Sequence, residues 1–273
     1  MIYLKQHKKI LLTIIAISLI VVVVLQALAV FSLTDSMSRE MIRDTSIRMI
    51  IGSVFVITLY YLGFEPFKKN PKSMLWIVMV ILPGLIISVN NFPWSAYLSG
   101  RAFINEPLHL VYLFAVECLS TGFLEESVFR GIILVVIIQR LPQTKAGILK
   151  SIIISSALFG LIHLVNLISG ASLGDTLLQI GYSFLMGALW SVVYLATKNL
   201  LYPILLHATY NFFGLVLFRI GVVTNRFDLI TIVITVGFAL LASLFYFGVF
   251  GKLSQTEIAE MVGTSDGLDH TSQ

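Results

Sequence analysis

Glu125, Glu126 and Arg130 lie inside an apolar run from about Leu108 to Ile138, and His163, His207 and Asn211 lie inside two others. An ionisable group at bilayer depth costs about 2.5–3.5 kcal/mol on insertion scales, so such groups face protein or water and carry function. Carboxylates and imidazoles move protons to and from water. An amide beside them can donate to a developing oxyanion. Helical spacing sorts the set. Glu126 and Arg130 are four apart, so they share a face and can pair. Glu125 is turned by about 100° from Glu126, so Arg130 cannot hold it in the same way. One acid is then paired and the other free for chemistry. His207 and Asn211 share a face at the same spacing, as do Phe159 and His163. Three helices bringing Glu125, His163, His207 and Asn211 together would form one site. Taken singly, Glu126–Arg130 reads as a structural ion pair and each histidine as an interhelical hydrogen bond; two adjacent acids, two imidazoles and an amide point further. Glu117, two turns before Glu125, reads as a rim or pairing residue. His109 reads as interfacial, and Asn166 as a helix-end residue or a partner of His163.

The elements that must position these residues are apolar helices. The chain has 273 residues, 58% of them hydrophobic and 12% charged, with mean hydropathy +0.95. A soluble domain carries about 25% charged residues, so an ordinary globular enzyme is excluded. Disorder needs the opposite composition. The net charge of +4 is spread over short polar gaps, so no basic face for nucleic acid is expected. The partners expected are membrane lipids and a membrane-associated peptide or protein. One cysteine, Cys118, excludes a disulfide framework and a Cys-rich metal site. A spanning helix needs about 20 apolar residues. Eight runs qualify or come close: Ile10–Leu33, Met49–Gly63, Met74–Val89, Leu108–Ile138, Ile148–Ile168, Thr176–Thr197, Leu200–Phe218 and Leu229–Phe250. The second and third are short, and the fourth must tilt, kink or extend beyond the bilayer. The fold expected is all-α, a polytopic transmembrane bundle of about eight spans, with the site among the fourth, fifth and seventh. Residues 1–107 form N-terminal transmembrane helices, 108–218 the core, 219–250 the last transmembrane helix and 251–273 a polar, mobile cytoplasmic tail.

Lys and Arg set the orientation. Lys5, Lys8, Lys9, Lys68, Lys69, Lys72, Arg140, Lys145, Lys150, Lys198 and Lys252 fall on one side; Arg39, Arg43, Arg48, Arg101, Arg219 and Arg226 fall on the other. Both termini are therefore expected in the cytoplasm. Residues 1–29 read as a retained anchor, with a cleaved signal peptide as the alternative. The run limits place Glu125 and His207 nearer the cytoplasmic half and His163 nearer the outer half. These cannot all hold if the residues meet, so a boundary is off or a helix is tilted.

Glu125-Glu126-Ser127-Val128-Phe129-Arg130 fits EExxxR, Phe159 to His163 fits FxxxH, and His207 to Asn211 fits HxxxN. In this order on three apolar helices, they resemble the CPBP family, which includes the CAAX prenyl endopeptidases and the bacteriocin-processing and immunity proteins also called the Abi family. The resemblance covers about Leu108 to Phe218. It implies an all-helical intramembrane endopeptidase in which Glu125 is the general base, His163 helps orient and deprotonate water, His207 and Asn211 stabilise the oxyanion, and Glu126 and Arg130 hold the site. The substrates it suggests are CAAX tails, bacteriocin or pheromone precursors, and membrane-anchored proteins. The short chain, without an organellar or ER-retention signal, fits a bacterial cell membrane, where prenylated tails are not expected.

No cofactor is favoured. Zinc is the alternative, held by Glu125, His163 and His207; a catalytic zinc takes three protein ligands and a water, but HExxH is absent. Gly170-Ala171-Ser172-Leu173-Gly174 matches GxSxG, yet it sits in a hydrophilic loop and reads as a turn. Two rival functions remain: a non-catalytic membrane immunity or regulatory protein, and a transporter whose buried acids and histidines relay protons.

Overall fold

The computed structural model describes residues 36–69, 72–226 and 228–263, together with Thr13, Ala16, Ile17, Ile20, Val21 and Val24. The expected first run, Ile10–Leu33, and the signal-peptide reading of residues 1–29 lie outside the described residues apart from those positions. Helix α1 runs from Met37 to Tyr61. The sequence reading had placed a loop before Met49. The helix starts earlier because its charged first half is satisfied by pairing: Arg43 meets Asp44 at 3.0 Å, and Arg48 meets Glu117 at 3.2 Å and Asp44 at 3.8 Å. A search for apolar runs cannot see such a segment.

Helix α2, Met74–Asn90, is capped by the Ser73 hydroxyl, and short α3 covers Trp94–Leu98. Strand β1, Ala102–Ile104, leads into α4, Leu108–Glu126. The chain continues without a break through a π-helical segment, Ser127–Leu134, into α5, Val135–Arg140. Helix α6, Lys145–Leu161, tightens into a 3-10 segment, Ile162–Leu167. Helix α7 is Leu173–Thr197, α8 is Leu201–Arg219, β2 is Gly221–Val223, α9 is Leu229–Lys252 and α10 is Gln255–Met261.

Loop contacts gather at two ends. At one end β1 pairs antiparallel with β2, Arg219 meets Glu40 at 2.9 Å and Arg101 meets Asp228 at 2.5 Å. At the other, Phe67 bridges Asn199, the Lys145 ammonium donates to the Phe250, Gly251 and Leu253 carbonyls, and Lys198 and Lys72 meet Glu257 at 3.2 and 3.5 Å. Successive long helices therefore run up and down. Within the segment read as a mobile tail, α10 is docked instead: Ile258 and Val262 are buried in the main core, Ala259 is buried beside them, and Gln139 donates to the Val262 carbonyl at 2.6 Å.

This is an integral membrane protein with an all-α bundle. Among the described residues, 145–167, α7, α8 and α9 are long and apolar enough to cross a membrane, and α2 is a shorter apolar helix. Helix α9 shows the logic. It buries Ala242, Tyr246, Val249 and Phe250 and exposes Leu240, Leu241, Leu244 and Phe247. A soluble protein would not leave so large an apolar face uncovered; lipid covers it without cost.

Asp228 fixes the start of α9. It accepts from the Ser95 hydroxyl at 2.7 Å, from the Thr231 amide at 2.8 Å and from Arg101. These donors, Ser95 foremost, hold its carboxyl well below the ordinary carboxylate range. A lowered folded-state pKa contributes stability above the unfolded value of about 3.9 that is lost as the pH falls further. Asp228→Asn is therefore expected to lower Tm at neutral pH and to flatten its fall between about pH 5 and pH 3; thermal melts of detergent-solubilised protein across that range check it.

Candidate active site

The carbonyls of a π-helical segment bond five residues on, and such segments recur at functional sites. Here the segment begins immediately after Glu126 and carries Arg130. Its irregular backbone is tied down from both sides: Ser127 donates to the Phe123 carbonyl at 2.6 Å, and Ser155 of α6 donates to the Phe129 carbonyl at 3.0 Å. Glu126 is fully buried, and its Oε1 accepts two hydrogen bonds, from Arg130 Nη1 at 2.7 Å and from His207 Nδ1 at 2.7 Å. One carboxylate oxygen thus joins α4, the π segment and α8.

That bond settles the His207 ring. With Nδ1–H given to a carboxylate, the neutral tautomer leaves Nε2 as the lone-pair nitrogen. Nε2 looks toward Glu125 Oε2 at 3.6 Å, too long for a direct hydrogen bond and close enough for one reacting oxygen to touch both. His163 is settled similarly. Its Nδ1 faces two acceptors, the Phe159 carbonyl at 3.0 Å and the Gly160 carbonyl at 3.3 Å, where α6 gives way to the 3-10 segment. Only an N–H can serve there, so its Nε2 is also the basic nitrogen. Asn166, read as a possible partner of His163, instead donates to Gln179 at 2.7 Å.

Phe159 is the hub between these groups. Its ring meets His163 at 5.5 Å and His207 at 5.7 Å, both edge-on, and the Arg130 guanidinium lies 4.6 Å from its centroid. Edge-to-face pairs and a cation over a ring are attractive arrangements. Arg130, 1% exposed, is therefore held by Glu126 and Phe159. The depth expectation set His163 apart from His207; the Phe159 ring, in contact with both imidazoles, spans that separation.

Asn211 follows His207 by one turn of α8 and is half-buried. The sequence expectation joined it to the site by spacing; among the described residues its side chain makes no hydrogen bond with the two acids or the histidines. Glu117 pairs with Arg48 and stands apart from Glu125. Ser172 of the GxSxG match caps α7, accepting from the Asp175 amide at 3.0 Å and donating to its carboxylate at 2.6 Å.

Two glycines were missed by sequence reasoning. A Cβ on Gly122 would lie 2.8 Å from the Ile204 carbonyl oxygen and 3.2 Å from the Ala208 nitrogen. The backbones of α4 and α8 touch there, one turn before Glu126, and this close approach lets His207 reach the carboxylate. A Cβ on Gly187 of α7 would meet Phe159, Ser156 and the Arg130 guanidinium. The available signal was Gly122 itself, a small residue of the kind that lets membrane helices approach closely. Gly122→Val is expected to push α8 away, lower stability by about 1–3 kcal/mol and cut activity at least tenfold; paired melts and cleavage rates check it.

The zinc alternative required Glu125, His163 and His207 to converge. Among the described residues no group of three or more His, Cys, Asp or Glu is gathered to hold a metal ion, and the Phe159 ring meets both histidines. As placed, Glu125, His163 and His207 are not gathered into a three-ligand zinc set.

An all-α membrane bundle with buried acids and imidazoles at its centre defines the class. Residues 107–213 match the family model described as Rce1-like, type II CAAX prenyl endopeptidase Rce1-like. The match supports a CPBP family intramembrane protease and with it an endopeptidase, a hydrolase acting on a peptide substrate in a membrane context. No curated protein and no solved structure matches the chain.

Proposed function

We propose that the chain hydrolyses a peptide bond of a membrane-associated peptide or protein with water activated by Glu125 and His163, of the CAAX type or in the processing of a bacteriocin or pheromone precursor. The observation that carries the reading is the Glu126–His207–Glu125 arrangement, in which a fully buried carboxylate fixes one imidazole nitrogen and leaves the other toward a second carboxylate. Water attacks the scissile carbonyl carbon as its proton passes to Glu125, with His163 Nε2 helping to orient the water. The oxyanion that forms is met by the Asn211 amide and by His207 in its protonated form, whose Nε2–H can donate. The carbon–nitrogen bond then breaks, and the proton taken from water goes to the departing amine. Arg130 and Glu126 touch no reacting atom; they are positioning residues.

The protease core in this reading is residues 108–218, which contain the matched segment. The protein sits in a bacterial cell membrane with both termini cytoplasmic. Lys68, Lys72, Lys145, Lys198 and Lys252 at the end carrying α10 support that orientation. The test is cleavage of a library of membrane-anchored peptides by wild type and Glu125→Gln in nanodiscs, read by mass spectrometry with and without a zinc chelator. Chelator-resistant cleavage by wild type alone is expected. Equal cleavage by both proteins overturns the assignment, and chelator sensitivity reversed by zinc overturns the glutamate mechanism.

A further inference from the structure

Helix α7 packs against both helices that carry the imidazoles, and Ser183 is the residue it turns between them. On one side the Tyr182 ring lies 6.2 Å from the Tyr210 ring of α8. On the other, a Cβ on Gly160 of α6 would lie 3.4 Å from the Phe184 Cβ. Ser183 is turned by about 100° from each neighbour, so it faces the wedge between α8 and α6, and it is buried there. Its level is fixed from both sides. One turn on, a Cβ on Gly187 would lie 3.2 Å from the Phe159 ring. One turn back, Gln179 accepts from Asn166 at 2.7 Å. Ser183 stands between these two contacts, as His163 stands between Phe159 and Asn166. The serine is therefore level with His163, in the wedge where the Phe159 ring meets both imidazoles.

The fold does not use the Ser183 hydroxyl. Other buried serines of the bundle donate to a backbone carbonyl: Ser88 to Gly84, Ser151 to Gly147, Ser155 to Phe129 and, on α7 itself, Ser191 to Gly187 at 2.7 Å. Among the described residues Ser183 makes no hydrogen bond. Ser156 is the other exception, and it lies beside Gly187 and Arg130, two turns before His163. A buried polar group that forgoes its backbone bond points to a catalytic or binding role. We propose that the Ser183 hydroxyl donates to the oxygen of the attacking water. The inference rests on the protease reading and adds a third helix to its water site. That water directs one hydrogen to Glu125 and the other to His163 Nε2, which leaves two lone pairs. One must attack the scissile carbon, and the other needs a donor to fix it. Glu125 and His163 Nε2 are both acceptors there and cannot supply one. Ser183 can. With partners on α4, α7 and the 3-10 segment, the water keeps one free lone pair, aimed at the carbonyl carbon. Ser183 retains its own proton throughout; the proton taken from water still goes to Glu125 and then to the departing amine.

The test compares wild type, Ser183→Ala, Ser183→Thr, Ser191→Ala and Glu125→Gln as full-length protein in nanodiscs. Each is assayed on a membrane-anchored peptide that wild type cleaves, and each is melted without substrate. Ser183→Ala is expected to lower kcat about tenfold, the effect of one hydrogen bond, with KM within about twofold of wild type. Its Tm should equal or exceed that of wild type, because no bond within the protein is lost and alanine is the better helix former. Ser183→Thr keeps the donor and should recover part of kcat. Ser191→Ala, which loses only a backbone bond one turn beyond Gly187, should leave kcat unchanged. A lower Tm in Ser183→Ala overturns the proposal by making the hydroxyl structural, and a loss confined to KM overturns it by placing the hydroxyl on the substrate. Cleavage by Ser183→Ala at the wild-type rate removes the serine and leaves the protease. Slowed cleavage by Ser183→Ala beside full activity in Glu125→Gln overturns the assigned base and leaves the serine in the site.

Discussion

Glu125→Gln is expected to lower kcat by about 10²–10⁴-fold, the usual contribution of a positioned general base, with KM and Tm close to wild type. The reason is the asymmetry between the two adjacent acids. Glu126 spends its Oε1 on Arg130 and His207. Glu125, 8% exposed, faces His207 Nε2 at 3.6 Å, beyond hydrogen-bond reach, and among the described residues its side chain makes no hydrogen bond that ties another element in place. Gln has nearly the same size and keeps a polar end group, so it leaves no cavity and no buried unpaired charge. It cannot take a proton from water. A single-turnover cleavage assay beside a thermal melt separates the outcomes. A fall in Tm together with the loss of activity would mean that Glu125 is structural. Unchanged kcat would move the base elsewhere, with His163 next in line because its Nε2 is the basic nitrogen.

The two acids were separable in the sequence because helical geometry is local: four residues bring Arg130 to Glu126, and one residue turns Glu125 away. The order of the three polar helices was legible for the same reason, since each pair of groups sits within one turn. What the sequence could not show depends on how helices cross. That Glu126 rather than Glu125 binds His207 Nδ1 follows from the approach of α4 to α8 at Gly122, and hydropathy records no such contact. The π segment was read only as excess length, because its carbonyl pattern is set partly by Ser155 on another helix. Asn211 shows the converse: its spacing from His207 puts both on one face of the helix, yet spacing says nothing of what that face meets. Composition misplaced the start of α1 as well, because Arg43, Asp44 and Arg48 look like a loop until Glu117 is opposite them.

Breaking the Glu126–Arg130 pair is expected to destabilise the protein by about 3–5 kcal/mol whichever partner is removed. Both side chains are buried to within 1% of completely, and among the described residues Arg130 Nε, Arg130 Nη2 and Glu126 Oε2 have no hydrogen-bond partner. The pair is thus two charges taken out of water with only part of their bonding restored. Arg130→Met leaves the carboxylate with His207 alone; Glu126→Gln leaves a buried guanidinium over Phe159. Removing both charges together should recover most of the loss, since a buried ion pair is often no more stable than apolar groups of similar size. Two double variants then divide structure from chemistry. Glu126→Gln with Arg130→Met keeps a carbonyl that can accept from His207 Nδ1, and is expected to be stable and partly active. Glu126→Leu with Arg130→Met is expected to be comparably stable but nearly inactive, because the His207 ring loses the acceptor that fixes its tautomer. Equilibrium unfolding in SDS-containing mixed micelles and initial cleavage rates give both readings. Equal activity of the two doubles would mean that the hydrogen bond to His207 is incidental; inactivity of both would mean that the negative charge of Glu126, and not only its acceptor, acts on the imidazole.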